Sequence, residues 1–472
     1  MHFDLAVIGS GPAGLKGAIN AAKLGRRVVV IERCATVGGV CVNTGTIPSK
    51  ALREAILHAV GYRRRWSQPG EPAEGRVTMR ELTARTQSVV HSEIDVIRDQ
   101  LRRNGVQFLT GTASFVDPHR LLVRRGDGQD EVQADRVLIA VGSRPHHPPD
   151  IPFAEGRIVD SDQVIQLTEL PRSVMVVGGG VIGMEYACML AAVGVSVTLI
   201  DMRARLLEFV DSEIVEALQY HMRCANIRLK LGEEVARVAL RDDAVEAILR
   251  SGKRIQTEVA LIAAGRQANT DELNLAAAGL AADARGRLSV DETFRTEVPH
   301  VSAAGDVVGF PALAATAMEQ GRLATGHMFG ESWQEQAPLY PIGIYTIPEV
   351  SMVGKTEAEL TAENVPFEVG VARYREIARG KLLGDVSGML KLLFHAESRR
   401  LLGTHILGEG ATELVHIGQC AMSAGMPIDY FVSSVFNYPT LAECYRVAAL
   451  DGINRVRKAR PTVQPELAAA GA

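Results

Sequence analysis

The chain has 472 residues, 47% hydrophobic and 22% charged, with a net charge of −4, enough for roughly two to four domains with cores of their own. That balance excludes a broad basic field for nucleic acid, and the apolar start at residues 5–8 is too short for a signal peptide or membrane span. Six dispersed cysteines, at 34, 41, 188, 224, 420 and 444, have neither metal-ligand spacing nor secreted-scaffold density, so no metal site, no membrane partner and a cytoplasmic location are expected.

Residues 4–32 read as strand, glycine turn, helix and strand. Gly9-Ser10-Gly11-Pro12-Ala13-Gly14 follows the first apolar run at once, and the second ends in Glu32. Glycines there admit the backbone to a pyrophosphate. The helix start supplies N–H groups and a positive dipole end, and the acid reaches ribose hydroxyls.

Residues 62–78, rich in Arg, Pro, Gly and Glu, read as an exposed connection, with Arg63-Arg64-Arg65 as a solvated loop. Helical periodicity returns from Arg80 to about Asn104, with Leu82, Val89, Val90, Ile94, Ile97 and Leu101 on or near one stripe. A strand is expected at 136–145 and a Pro-rich linker at 145–152.

The strand–glycine–helix–strand pattern then recurs. Residues 173–177 precede Gly178-Gly179-Gly180-Val181-Ile182-Gly183, and the strand at 195–201 ends in Asp201. Two copies mean two dinucleotide sites. After Asp201 come Arg203 and Arg205. The acid favours the free ribose hydroxyl of NAD, and an arginine accommodates the 2′-phosphate of NADP. This pattern leaves open both a dual-use site and a plain NAD site with two surface arginines.

A strand at 301–304 runs into Gly305-Asp306, a carboxylate suited to sugar hydroxyls, and a helix starts at Ala314. From about Pro341 the pattern becomes strands and two helices, with 389–394 as one clear strand. From about Val456 it reads as a frayed tail.

Gly38-Gly39-Val40-Cys41-Val42-Asn43-Thr44-Gly45-Thr46-Ile47-Pro48-Ser49-Lys50 resembles the active-site segment of the flavoprotein disulfide reductases. The resemblance covers about residues 4–455. In that family two cysteines five positions apart form a redox disulfide over the flavin. Here Cys41 has Thr46 at that spacing, and a hydroxyl cannot carry a disulfide. The Gly-Thr-Ile-Pro-Ser-Lys variant is similar to that of the soluble pyridine nucleotide transhydrogenases.

The resemblance implies an α/β fold with two Rossmann-like dinucleotide-binding domains plus a C-terminal α+β dimerisation domain. The implied boundaries are 1–150 and 276–340 for the FAD domain, 151–275 for NAD(P), 341–455 for the interface domain and 456–472 for the tail. It implies that Gly9, Gly11, Pro12, Gly14, Glu32, Arg33, Gly39, Thr46, Lys50, Gly142, Gly305, Asp306 and Ala314 serve FAD. Gly178, Gly180, Val181, Gly183, Glu185, Asp201, Arg203, Arg205, Gly265 and Arg266 would serve NAD(P). Lys50 and Glu185 are expected to pair near flavin N5. Cys41 is either a flavin neighbour or a packed remnant.

The family's interface domain supplies a histidine just before Pro-Thr, oriented by a glutamate five residues later. Here Tyr438 takes the histidine place and Glu443 is retained. A tyrosine is a poor base at neutral pH. The second cysteine and the base are thus lost together, which disfavours a disulfide reductase such as dihydrolipoamide dehydrogenase. The expected activity is Si-specific transhydrogenation, moving hydride between NADPH and NAD+ by a ping-pong route through FAD, in a homodimer or higher homo-oligomer. An NAD(P)H quinone reductase or diaphorase of the same fold is the alternative. A flavin-binding scaffold without turnover is opposed by Lys50, Glu185 and both nucleotide motifs.

Overall fold

Runs of β-branched residues buried on both faces form parallel strands, and two such runs organise the first half of the chain. In the computed structural model, which describes residues 1–66, 77–126, 128–331, 339–385 and 387–459, His2–Ile8 lies inside a seven-stranded sheet. Val28–Glu32 and Gly128–Ile139 flank it in parallel, and Val301–Ala303 joins Gly128–Ile139, also in parallel. Gln107–Thr110 forms one edge, and Arg120–Arg125 and Thr112–Asp117 continue the other side antiparallel.

A second sheet repeats the arrangement. Ser173–Val177 lies between Ser196–Asp201 and Val259–Ile262, with Arg228–Leu231 and Ile158–Val159 at the edges, all parallel. The helices Pro12–Lys23 and Val181–Ala192 each start at the C-terminal end of a central strand. A three-stranded antiparallel sheet (Val235–Arg241, Ala244–Leu249, Arg254–Thr257) and a two-stranded ladder (Ser143–Pro145 with Arg266–Ala268) complete this part.

The chain divides into two compact units, Met1–Arg205 with Ala225–Gln336, and Leu206–Cys224 with Ala337–Ala472. The second unit holds a five-stranded antiparallel sheet in the order Ile342–Ile344, Val350–Gly354, Leu401–Leu407, Met389–His395, Phe367–Arg373. Its core gathers Tyr374, Phe394, Phe431 and Tyr445, all fully buried. The helix Glu443–Ala459 packs on the edge strand so closely that a Cβ on Gly370 would lie 2.0 Å from Ala448 O.

Several expectations are corrected. The helix Thr46–Trp66 carries Arg63-Arg64-Arg65, which are therefore helical rather than in a loop. Good helix formers fill that stretch, and no proline occurs in it after Pro48. Residues 67–76 of the expected connection lie outside the described residues. The helix expected over 80–104 is Met79–Arg103, started by a Thr78–Glu81 capping box. After residue 341 there are five helices among the described residues rather than two, and the last continues through 456 to Ala459. The remainder of the expected tail is not among the described residues.

The segment Leu206–Cys224, expected within the nucleotide domain, belongs to the second unit. Its helix Ser212–Cys224 buries Ile214, Val215, Leu218 and Met222. An apolar stripe shows that a helix packs, not against what. No helix among the described residues is long and apolar enough to cross a membrane.

Candidate active site

The two glycine turns are built alike. Gly9 and Gly178 have φ of 104° and 108°, and a Cβ at either would sit 2.3 Å from a carbonyl oxygen of the neighbouring strand, Ala140 or Ala263. Side chains on Gly14 and Gly183 would strike the carbonyls of Gly9 and Gly178 at 2.0 Å, so each helix is pressed onto its turn. The middle glycines differ. A Cβ on Gly11 or Gly180 meets no atom within 4 Å, and neither helix start has a side-chain cap. Open space beside uncapped N–H groups fits a pyrophosphate at each turn. Pro12 and Val181 open the two helices, and Gly39 closes on the first turn, its Cβ position 3.0 Å from Gly11 Cα.

The acids ending the second strands are tied back to these turns. Glu32 Oε2 accepts from Ser10 N at 2.9 Å and from the Ser10 hydroxyl at 2.7 Å, while Oε1 accepts from Cys34 N at 3.0 Å. Asp201 Oδ2 accepts from Gly179 N at 2.5 Å. Burial pushes the Asp201 carboxyl up, but hydrogen bonds from Arg203 and Gly179 outweigh it and hold the group below its ordinary range. Arg205 is exposed, and Arg33 reaches Glu272 at 3.7 Å.

Residues 135 positions apart meet at the centre. Lys50, in the first turns of Thr46–Trp66, donates from Nζ to Glu185 Oε2 at 2.7 Å. Lys50 is 26% exposed and Glu185 5%. Cys41, on the short helix Gly39–Asn43, hydrogen-bonds the Thr46 side chain. Burial raises its thiol above the ordinary range, and the Thr46 contact opposes this only in part. All six cysteines are free, so no disulfide stands here, as the Thr46 substitution requires.

A third group forms where the two-stranded ladder meets the strand end at Ala303. The Ser143 hydroxyl donates to Asp306 Oδ2 at 2.5 Å, and Arg266 donates to Ser143 through Nε at 2.7 Å and Nη2 at 2.8 Å. Gly305 N is held by Gln320 Oε1 at 2.9 Å. Gln320 projects from the helix Ala314–Met328, whose start has no side-chain cap. Gly142 and Gly265, with φ of 65° and 103°, both border open space. Asp162 lies near Arg266; burial raises its carboxyl and Arg266 opposes the rise.

Ser10, Ser143, Gly179 and Gln320 were not foreseen in these roles. Three of these contacts are donated by backbone N–H groups, of Ser10, Gly179 and Gly305, which every residue but proline possesses, so no donor residue type announces them. In the second unit, Tyr438 is 68% exposed. Glu443 Oε2 is buried without a hydrogen-bond partner.

Comparisons with known proteins agree with this geometry. Residues 3–321 match the family model of pyridine nucleotide-disulphide oxidoreductases, and residues 340–449 match that family's dimerisation domain. The chain is 51% identical, over 97% of its length and 98% of the relative's, to the soluble pyridine nucleotide transhydrogenase of Mycobacterium tuberculosis. It is 42% identical to the protein of that name from Colwellia psychrerythraea, over 96% of this chain and 98% of the relative. Among solved structures it resembles the HOCl-induced flavoprotein disulfide reductase RclA of Escherichia coli, with TM-score 0.86 and 26% identity, covering 95% of this chain and 99% of that one. LpdA of Mycobacterium tuberculosis superposes with TM-score 0.87 at 27% identity, over 94% and 99% of the two chains.

Proposed function

The chain belongs to the pyridine nucleotide-disulphide oxidoreductase family, beside relatives named soluble pyridine nucleotide transhydrogenase, and we propose that it moves hydride from NADPH to NAD+ in a ping-pong cycle at one nucleotide site. It is a flavoprotein oxidoreductase whose substrates are nicotinamide nucleotides. The observation that carries the reading is Thr46 against Cys41, with every cysteine free. The protein has no dithiol to take electrons, so a second nucleotide takes them.

FAD, when bound, supplies a two-electron carrier between the nucleotides. The residues around it bind and orient. Gly11 and Gly180 would leave room for the two pyrophosphates, Glu32 and Asp306 would hold sugar hydroxyls, and Ser143 with Arg266 fixes the Asp306 carboxylate. The Lys50 ammonium, held by Glu185, would set a fixed positive charge beside the flavin ring. The uncapped start of Ala314–Met328 adds a second positive field. Cys41, its thiol raised by burial, stays protonated and does not compete as a nucleophile.

The dimerisation domain makes the assembly a homo-oligomer, which we take to be a dimer in which exposed Val435 and Tyr438 are covered. Six free cysteines suit a cytoplasmic enzyme. The test is an anaerobic single turnover. Holoenzyme is reduced with one equivalent of NADPH, freed of NADP+, then mixed with NAD+ or with a quinone. Stoichiometric NADH formation with return of the oxidised flavin band is expected from NAD+. Reoxidation by the quinone alone would overturn the reading.

A further inference from the structure

We infer that Arg203 is a movable cap on Asp201 that selects between the two nucleotides: closed, it presents a 2′-phosphate site, and displaced, it uncovers a carboxylate for the ribose of NAD. This deepens the reading above and rests on both nucleotides sharing the second site.

The observation is the filling of one carboxylate. Asp201 Oδ1 accepts from Arg203 N at 2.7 Å and Arg203 Nε at 3.0 Å. Oδ2 accepts from Gly179 N at 2.5 Å and Arg203 Nη2 at 2.8 Å. A carboxylate offers about four lone-pair sites, and all four are taken. No acceptor site remains for a ribose hydroxyl, so Asp201 cannot chelate the diol of NAD until the guanidinium leaves. The two backbone donors stay in place when it does.

The matching acid of the first motif is built differently. Glu32 accepts three hydrogen bonds, from Ser10 N, the Ser10 hydroxyl and Cys34 N. The neighbouring arginine, Arg33, pairs with Glu272 instead. One lone-pair site on Glu32 therefore stays available for a ribose hydroxyl, and no guanidinium blocks it. The first site is set for a single cofactor, and the second is closed by a side chain that can move.

Arg203 has the means to move. Its side chain is 44% exposed against 4% for Asp201, so a solvent-facing fork covers a buried acid. The fork also cancels the charge that would repel a 2′-phosphate, and a guanidinium binds phosphate with the same planar geometry it uses for carboxylate. Arg205, two residues on and exposed, adds positive charge. For NADP the arginine stays on Asp201 and meets the phosphate with the N–H donors that the carboxylate leaves unused. For NAD it is exchanged for ribose hydroxyls.

The test measures equilibrium binding of NADP+ and NAD+ separately to oxidised holoenzyme by calorimetry, without turnover. Arg203→Ala is expected to weaken NADP+ by roughly 10- to 100-fold, the size of a charge-assisted pair, and to tighten NAD+ several-fold. Asp201→Asn is expected to do the reverse to NAD+ while sparing NADP+. FAD content and melting temperature of each variant check that it is folded. An unchanged ratio of the two affinities in folded Arg203→Ala, or an equal loss of both, overturns the cap. If Arg203→Ala fails to fold, an unchanged ratio in Asp201→Asn overturns it instead. The shared-site reading fails separately, if NAD+ and NADP+ do not compete for the wild-type protein.

Discussion

Lys50 Nζ lies 2.7 Å from Glu185 Oε2, joining the helix that follows the Cys41 segment to the helix that opens the second nucleotide motif. The pair therefore sits where both nucleotide-binding halves of the first unit converge. Its cation is held by a carboxylate that is almost fully buried. Glu185→Gln keeps the shape and removes the counter-charge. We expect reduction by NADPH to slow by roughly 10- to 100-fold, as for loss of one preorganised electrostatic group, with FAD content unchanged. Lys50→Met should act similarly, and the double variant should be little worse than the poorer single one, because the two act as a unit. Stopped-flow reduction of the three variants checks this, and fully additive losses would contradict it.

Thr46→Cys places a second sulfur beside Cys41. With Thr46 beside Cys41, a disulfide is expected between the two cysteines, and thiol titration of the variant should rise on reduction. Turnover with lipoamide or glutathione should nonetheless remain at background, because Tyr438 stands at the histidine place and a phenol is a weak base at neutral pH. Sustained disulfide reduction by this single variant would falsify the account of paired losses.

How much of this was legible in the sequence depends on whether a residue type or a contact carries the information. Gly9 and Gly178 announce themselves, since their φ is open to glycine at little cost and strained for other residues, and two copies of the pattern gave two sheets that share the order of four parallel strands. Lys50 and Glu185 were paired only through the resemblance, because nothing local links residues 135 positions apart. Ser143 looked like any strand residue, yet it bridges Arg266 and Asp306. The helix Ser212–Cys224 groups with the second unit, a placement that an apolar stripe cannot specify. Lys391 lies in the strand expected at 389–394, and its partner Asp211 is 180 positions away, beyond the reach of any local pattern.

Removing the Ser143 hydroxyl should loosen the Asp306 carboxylate. Ser143→Ala deletes the 2.5 Å donor and leaves Asp306 Oδ2 with Arg266 Nε at 3.8 Å. We expect FAD to be lost more readily, with weaker retention by roughly tenfold, the size of one charge-assisted hydrogen bond. Flavin content after dialysis against a chaotrope checks it. Retention equal to wild type would show that Asp306 is positioned without Ser143.

The second unit carries its own pH response around the pair Lys391 and Asp211, both 1% exposed. Lys391 Nζ donates to Asp211 Oδ1 at 2.9 Å, meets Glu213 at 3.1 Å and also pairs with Glu357. Burial opposes the charge of Lys391, but these carboxylates outweigh it and raise the ammonium above its ordinary range. Burial likewise pushes Asp211 up, and Lys391 outweighs it, so that carboxyl is held low. Lys391→Met strands a buried carboxylate and should cost about 3 to 5 kcal/mol. The signs follow from linkage. Asp211 adds stability that is present above about pH 4 and lost as pH falls through its lowered value, and Lys391 adds stability that is lost only as pH rises above about 10.5. Fully buried His405 acts between these limits. Its Nε2 contacts Lys355 O at 2.9 Å, which calls for the tautomer protonated there. Burial depresses it, with Lys391 acting in the same sense and Asp211, Glu359 and the Lys355 carbonyl opposing. The unfolded chain therefore takes up a proton near pH 6.5 before the folded unit does, and stability falls as pH drops below that point. His405→Gln, which keeps a donor and cannot titrate, should flatten the decline in melting temperature between about pH 7 and pH 5. A decline as steep as wild type would place the acid sensitivity elsewhere.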